Sequence, residues 1–322
     1  MATTTAALPA RSKSLAGRLS AGDEVARAVT LLFAVLILAV TLMLVTQLWS
    51  GSAPSRHKFG FQFLSSSLWN PVTDQYGAAP FIYGTVLTAL LALIISVPLG
   101  VGAAIYLSEL APPRVSNALT FLVELLAAVP SVIFGLIAIF TLVPLMRTTI
   151  EPALKKAFGF TPFFTGPAFG VGYLTAGLIL SIMTFPYIIS VSREALMSVP
   201  REQREAALAV GATKWESTWD AVLPFARLGI IGSIFLALAR ALGETMAVTM
   251  VIGNDPAIHA SLLAPGYTIA AVVANEFTEA NGKMYPSALV ELGLVLFVLT
   301  MIVNGLAQLL IVLTTRKGSA KA

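Results

Sequence analysis

The sequence contains no cysteine, two histidines and few charged residues, which make up 11% of its 322 residues. Without cysteine the chain has no disulfide, no thiolate metal ligand and no thiol nucleophile. His57 and His259 stand far apart in polar segments, so a metal centre built on histidine is not expected. Soluble domains carry about a quarter of charged residues, and this chain has too few to cover a surface in contact with water. The classes of soluble enzyme are therefore excluded.

Motifs for nucleotide binding and for catalysis are also lacking. The chain has no G-x-x-x-x-G-K-[ST] segment, so it does not bind ATP by a P-loop. Neither a Ser/His/Asp set nor a pair of carboxylates can be assembled on one side of a membrane. We therefore expect a protein that is not an enzyme and that carries no cofactor, with a membrane enzyme as the lesser alternative.

Apolar residues are abundant, at 57% of the chain, and give a mean hydropathy of +0.86. A membrane-spanning helix needs about 20 mostly apolar residues. Six stretches meet this condition and predict an all-α membrane protein with six transmembrane helices. The first is longer than the apolar region of a signal peptide, so we expect it to remain as a span. The six are 28–49, 81–107, 115–146, 168–192, 228–254 and 284–315.

The basic residues predict the orientation of these spans. With the N-terminus in the cytoplasm, the inner segments hold thirteen Lys and Arg residues and the outer loops hold six. Arg240, inside a span, completes the total of 20. Because positive residues concentrate on the cytoplasmic side, both termini are predicted to be cytoplasmic. The net charge of +4 therefore reflects membrane topology rather than a nucleic-acid partner.

This topology divides the chain into segments of different kinds. A cytoplasmic tail precedes the first span, a long extracytoplasmic loop follows it, and a core of five spans includes one long cytoplasmic loop. The segments are the tail 1–27, the first span 28–49, the outer loop 50–80, the core 81–314 with its inner loop 193–227, and the tail 315–322.

The inner loop 193–227 is predicted to form two short helices. The first begins near Pro200 and ends at Gly211, a residue suited to a helix C-terminus. The second opens at Thr213, whose spacing to Glu216 is that of a capping box. Two such helices could be a solvated amphipathic connector. A DNA-binding helix-turn-helix is a poor candidate, because the segment lies between two spans and carries charges of both signs.

A specific motif lies within these two helices. It consists of Glu205-Ala206-Ala207, then Gly211, then Leu223-Pro224 at the predicted end of the second helix. This pattern resembles the EAA loop of ABC importer permeases, and the resemblance implies the type-1 permease fold. It also implies that the loop docks into a groove of a cytoplasmic ATPase. Alanine and glycine permit the close backbone approach that such docking requires.

The fifth predicted span contains the charged residues Arg240 and Glu244. Ionisable residues inside a span are costly and by default mark a functional site. Their i, i+4 spacing places them on one face of the helix, where they can pair, and this face also carries small residues such as Ser233. Small residues line helix contacts or pathways in membranes. Arg240 could thus contact an anionic substrate, since a guanidinium suits an oxyanion; alternatively the pair only locks helices together.

The segment from Arg240 to Ala247, which includes Glu244 and Thr245, resembles the PstC-type permeases of phosphate ABC importers, as does the segment from Val199 to Pro224. The resemblance covers roughly residues 81–314. It implies that Arg240 and Glu244 act in phosphate translocation, and we expect Ser233 and Thr245 to lie along the same substrate pathway.

The resemblance also implies the partners of the chain. They are a second, PstA-like permease, two PstB-like ATPase subunits and an extracytoplasmic, PstS-like binding protein that delivers inorganic phosphate. ATP-driven import by alternating access across the plasma membrane is then the expected function. A sulfate or molybdate importer permease is the alternative within the class. A membrane scaffold or sensor without transport is the alternative outside it.

Overall fold

The computed structural model describes the backbone of residues 23–319 and the side chains of residues 25–309. The described backbone is nearly all helical, and no β-strand occurs within it beyond two isolated bridges. In chain order the helices are α1 (Asp23–Gly51), α2 (Ala53–Phe59), α3 (Gln62–Ser65), α4 (Ala79–Leu110), α5 (Pro113–Ala127), α6 (Ser131–Phe158), α7 (Tyr173–Met197), α8 (Arg201–Ala209), α9 (Lys214–Leu242), α10 (Met246–Thr249), α11 (Ile269–Glu276) and α12 (Met284–Ser319).

The chain divides into two compact units, one up to Ser50 and one from Gly51 onward. In the first unit α1 exposes apolar side chains all around its circumference, among them Leu32, Leu38 and Leu42. A helix that is apolar on every side suits hydrocarbon rather than water. Helices long and apolar enough to span a membrane are α1, α4, α6, α7, α9 and the Met284–Leu309 part of α12, which confirms six spans in the described residues.

Helix α7 is the centre of the second unit and packs between α4 and α9. Small buried residues let these helices approach closely: Ala89 and Ala92 of α4 lie in the same core cluster as Ala176 of α7. On the other side, a β-carbon added to Gly229 of α9 would lie 2.4 Å from Cβ of Ala195 in α7. Glycine is therefore required at this crossing, as small residues are at helix contacts in membranes.

The third span differs from the predicted stretch 115–146. The helix breaks after Ala127, and a new one begins after Pro130, whose backbone is extended. Proline has no N–H and disfavours helix at the residue before it. The preceding helix α5 has 15 residues, about 22 Å at 1.5 Å per residue, and is too short to span. Helix α6 reaches spanning length by continuing to Phe158, beyond the predicted end of the span at residue 146.

The fifth span also has different ends. We expected it to cover 228–254 and the preceding helix to end at Leu223-Pro224, but α9 continues through Pro224 and ends at Leu242. A wider π-helical turn, Thr218–Val222, lies just before Pro224. Such a turn accommodates the missing N–H and the bulk of the proline ring. The prediction that Leu223 and Pro224 end a helix is therefore wrong.

An aromatic cluster closes the end of the second unit where the loop after α3 meets α11 and α12. The Trp69 ring lies 4.8 Å from that of Phe81, and Tyr76 stacks on Tyr285 at 5.7 Å. The Glu276 carboxylate accepts hydrogen bonds from Trp69 Nε1 at 2.9 Å and from the Tyr285 hydroxyl at 2.7 Å. Aromatic pairs and charge-assisted hydrogen bonds together fix this loop on the helices.

Candidate functional site

The expected turn at Gly211 separates two helices, although the second is the start of the long helix α9 rather than a short helix of the loop. Helix α8 ends at Ala209, and Gly211 has φ +94°, in the left-handed region that favours glycine. Helix α9 begins with the predicted capping box: Thr213 Oγ1 accepts the Glu216 amide, and Glu216 accepts the Thr213 amide at 2.7 Å. The local sequence therefore determines this connection, since both devices satisfy backbone groups at helix ends.

Arg204 anchors α8 to the membrane helices. Its guanidinium donates to both carboxylate oxygens of Glu109, at the end of α4, at 2.8 and 3.0 Å. It also donates to the carbonyls of Leu196 and Val199 at 2.8 and 2.6 Å. The hydrogen bonds from Arg204 to Glu109, and the Glu109 charge, raise the pKa of Arg204 above its usual range. The pair is bidentate and largely shielded from solvent, so it ties α8 to the end of α4.

The face of α8 opposite Arg204 is exposed. Glu205, Ala206 and Gly211 are exposed, and Ala207 is half-buried. Bulky apolar groups continue this surface: Val210 is 87% exposed, and Trp215 and Trp219, whose rings contact at 5.7 Å, are each 52% exposed. We call the surface formed by Glu205, Ala206, Ala207, Val210 and Gly211 with Trp215 and Trp219 the outer face of α8. Exposed apolar groups beside a small-residue helix are typical of an interaction surface.

Arg240 lies near the C-terminal end of α9 and points toward α7. Its guanidinium carbon stands 4.4 Å from the centre of the Tyr187 ring, which is a cation–π contact. The Arg240 Nε atom is buried and has no hydrogen-bond partner. Two residues of the expected small face contact α7, since Gly229 lies against Ala195 and Ser233 shares a hydrogen bond with Ser192. Ala237, on the same stripe, is fully buried.

The expected pairing of Arg240 with Glu244 does not occur: no ion pair joins them in the described part of the chain. The helix ends at Leu242, and Gly243 breaks the i, i+4 register on which pairing depends. Glu244 Oε1 instead accepts the Ala247 amide at 3.5 Å, beside the start of α10. Thr245 is the N-cap residue of α10. The interpretation of the pair as a helix lock is therefore wrong.

Ser233 lies apart from Arg240. It is fully buried, its hydroxyl shares a 2.7 Å hydrogen bond with Ser192 of α7, and it also donates to the Ile230 carbonyl. Seven residues separate it from Arg240, about 10 Å along a helix. Its place in the substrate pathway stays a prediction.

Comparison with known proteins identifies the family. A family model described as "Binding-protein-dependent transport system inner membrane component" matches residues 96–312. The chain belongs to this family. It is a permease subunit of an ABC importer and a multi-pass protein of the plasma membrane.

Relatives resemble the permease over nearly its whole length. A protein of Mesorhizobium japonicum named "Phosphate transport system permease protein PstC" is 45% identical over 90% of both chains. One of the same name from Pasteurella multocida is 44% identical over 92% of this chain and 93% of its own. In Methanocaldococcus jannaschii a "Probable phosphate transport system permease protein PstC" is 38% identical over 78% and 81%.

Solved structures of ABC transporters share the fold of the permease. A bacterial ABC transporter involved in the import of the acidic polysaccharide alginate has a TM-score of 0.53 at 17% identity, over 90% of this chain and 98% of that chain. An inward-facing MetNI methionine ABC transporter has a TM-score of 0.50 at 16% identity, over 72% and 91%. At such identities the likeness concerns the fold alone.

Sequence reasoning missed two partners of the site residues. Tyr187 and Glu109 lie far in sequence from the arginines that they contact, so no local motif identified them. Clusters of three or more potential metal ligands do not occur among the side chains that the structure describes.

Proposed function

We propose that this permease imports inorganic phosphate and that Arg240 contacts the anion on its way through the membrane. The observation that supports the substrate is the identity of 44–45% to proteins named phosphate permeases over about 90% of the chain. The geometry of Arg240 supports the site. Its cation is held on an aromatic ring rather than neutralised by a carboxylate, so its charge remains available to an oxyanion.

The proposed assembly contains this permease, a second PstA-like permease, two PstB-like ATPase subunits that hydrolyse ATP, and an extracytoplasmic PstS-like binding protein. Both termini and α8 lie in the cytoplasm, as the distribution of basic residues predicts. The outer face of α8, with Glu205, Ala206, Ala207 and Gly211, is then the surface that docks on an ATPase. Leu223 and Pro224, the last residues of the motif, lie within α9 rather than at a helix end.

Transport follows from the link between α8 and the spans. When the ATPases close on ATP, they displace α8, and the Arg204–Glu109 pair transmits this movement to α4. Because α4 and α9 both pack on α7, the helices that carry Arg240 and Tyr187 shift together. The site is thereby opened to one side of the membrane at a time, which is alternating access. In a medium of low dielectric constant one guanidinium attracts the anion far more strongly than in water.

The proposal is tested by uptake of radiolabelled phosphate at low micromolar concentration in cells that lack this gene. The cells are complemented with wild type, with Arg240→Gln or with Arg227→Gln, at equal membrane levels. Arg227 is an exposed arginine of the same helix and serves as the matched control. We expect uptake with wild type and Arg227→Gln and none with Arg240→Gln.

Uptake by all three forms would reduce Arg240 to a packing residue while the phosphate assignment stands. If none restores phosphate uptake although the complex assembles, the substrate is wrong. Labelled sulfate and molybdate are then the next substrates to measure.

A further inference from the structure

The residue that holds Arg240 is Tyr187, in the middle of α7. The ring lies 4.4 Å from the guanidinium carbon, and the hydroxyl donates to the Ala127 carbonyl at 3.4 Å. Tyr187 therefore touches three elements: its own helix, the end of α9, and the break between α5 and α6.

The cation–π contact leaves the hydrogen-bond donors of Arg240 available. A guanidinium has five N–H donors and no acceptor, and an aromatic face attracts the cation without an acceptor atom. The buried Nε lacks a partner, and Glu244 does not pair with Arg240. A buried donor without an acceptor is destabilising, so this arrangement is explained if an oxyanion supplies the missing acceptor atoms.

The hydroxyl of Tyr187 connects the site to a helix end. The last carbonyls of a helix have no partner within it, and Ala127 is the last residue of α5. The tyrosine satisfies this carbonyl just before the extended backbone of Pro130. Tyr187 therefore contacts both the end of α5, through its hydroxyl, and the guanidinium of Arg240, through its ring.

We propose that Tyr187 is a positioning residue for anion transport. Its ring orients Arg240 and leaves the N–H donors of the guanidinium free to bind an anion, and its hydroxyl links that orientation to the α5–α6 break. The inference rests on the proposed function, since it needs an anion that meets Arg240. It adds a residue outside the motif of 240–247 and assigns the specificity of the contact to oxyanions that accept several hydrogen bonds.

The test replaces Tyr187 by phenylalanine and by phenylalanines with one to five ring fluorines, in the full transporter reconstituted in liposomes. Fluorine withdraws electron density from the ring face with little change in ring size, so it weakens a cation–π contact specifically. We expect the initial uptake rate to fall with each added fluorine, roughly 2- to 30-fold over the series. Tyr187→Phe itself, which loses only the hydroxyl bond, should stay within about tenfold of wild type.

The same series at Tyr83 is the matched control. Tyr83 is also half-buried, and its hydroxyl also donates to a backbone carbonyl, that of His259, at 3.1 Å, but its ring contacts Tyr173 rather than a cation. We expect its fluorination to leave uptake unchanged. If Tyr187 only fills space, the uptake rate should not change with the number of fluorines at position 187 either, and that result would overturn the inference.

The outcomes separate this inference from the proposed function. If the transporter moves sulfate or molybdate instead of phosphate and the fluorine series acts on that anion, the substrate is wrong and the role of Tyr187 stands. If phosphate uptake requires Arg240 but is insensitive to fluorination, the proposed function stands and the role of Tyr187 is refuted. Normal phosphate uptake by Arg240→Gln contradicts both the role of Arg240 in contacting the anion and the role of Tyr187 in positioning it.

Discussion

At the scale of single residues, the site is defined by what Arg240 lacks. A charged side chain within a span is costly, and proteins commonly offset this cost with a carboxylate. Here the helix break at Gly243 displaces Glu244 from the register in which it could pair with Arg240. The charge is instead balanced in part by the Tyr187 ring. The result is a cation that is oriented but not neutralised, which suits transient binding of an anion.

Glu244 is expected to contribute to the choice of anion. Hydrogen phosphate carries a proton that a carboxylate can accept in a hydrogen bond, whereas sulfate carries none and would be repelled. We predict that Glu244→Gln raises sulfate uptake relative to phosphate uptake. The measurement needs a transporter whose binding protein is relaxed in selectivity, so that both anions are delivered. An unchanged ratio would show that Glu244 has no part in this discrimination.

At the scale of elements, the Arg204–Glu109 pair determines how α8 is held. Four hydrogen bonds converge on one guanidinium, which ties α8 to α4 and to the end of α7. Replacing the carboxylate by an amide removes the negative charge beside this largely buried cation and leaves one side-chain acceptor where there were two. We predict that Glu109→Gln lowers the free energy of unfolding by roughly 1–3 kcal/mol, measured by thermal denaturation of the purified complex.

Two variants serve as controls for this prediction. Glu202→Gln removes an exposed carboxylate of α8 and should leave the melting temperature unchanged. In a double-mutant cycle, the cost of Glu109→Gln and Arg204→Gln together should be smaller than the sum of the single costs, because the pair can be lost only once. Additive costs would mean that the two residues do not stabilise α8 through each other.

The aromatic cluster gives a prediction about pH. Burial, and secondly the charge of Asp74, raises the pKa of Tyr76 from 10.0 to about 12. A tyrosine with a raised pKa in the folded state contributes stability that is present below pH 10 and is lost as the pH rises toward 12. We predict that the melting temperature of the complex falls as the pH rises from 10 to 12, and that it falls less in Tyr76→Phe. An equal fall in both proteins would contradict the assignment.

At the scale of the whole molecule, the proposed docking surface on α8 and the proposed anion site at Arg240 lie in separate elements. The outer face of α8 is exposed in the isolated chain, so a large residue there should not disturb folding. We predict that Ala206→Trp abolishes co-purification of the ATPase and ATP-dependent uptake, at a normal membrane level. Glu279→Trp, an exposed position after α11, is the control and should retain both. Normal co-purification with Ala206→Trp would exclude this face as the docking surface.

The sequence predicted the spans and the α8 motif because both depend on local patterns. Apolar length identified six spans, and Gly211 with the Thr213–Glu216 box identified the turn before α9. The span ends were less predictable, because proline breaks the helix at Pro130 yet is accommodated by a π-helical turn at Pro224. The contacts of Arg240 and Arg204 were not predictable, since their partners are set by helix packing between distant segments.

The most direct test of the account is transport by the purified complex in liposomes. The binding protein is added on the side of the membrane opposite the ATPase subunits. Labelled phosphate and labelled sulfate are compared with ATP present, for wild type and for Arg240→Gln. The account predicts ATP-dependent phosphate uptake by wild type, little sulfate uptake, and loss of phosphate uptake in the variant with its ATPase subunits still bound. Phosphate uptake by Arg240→Gln at the wild-type rate would contradict it.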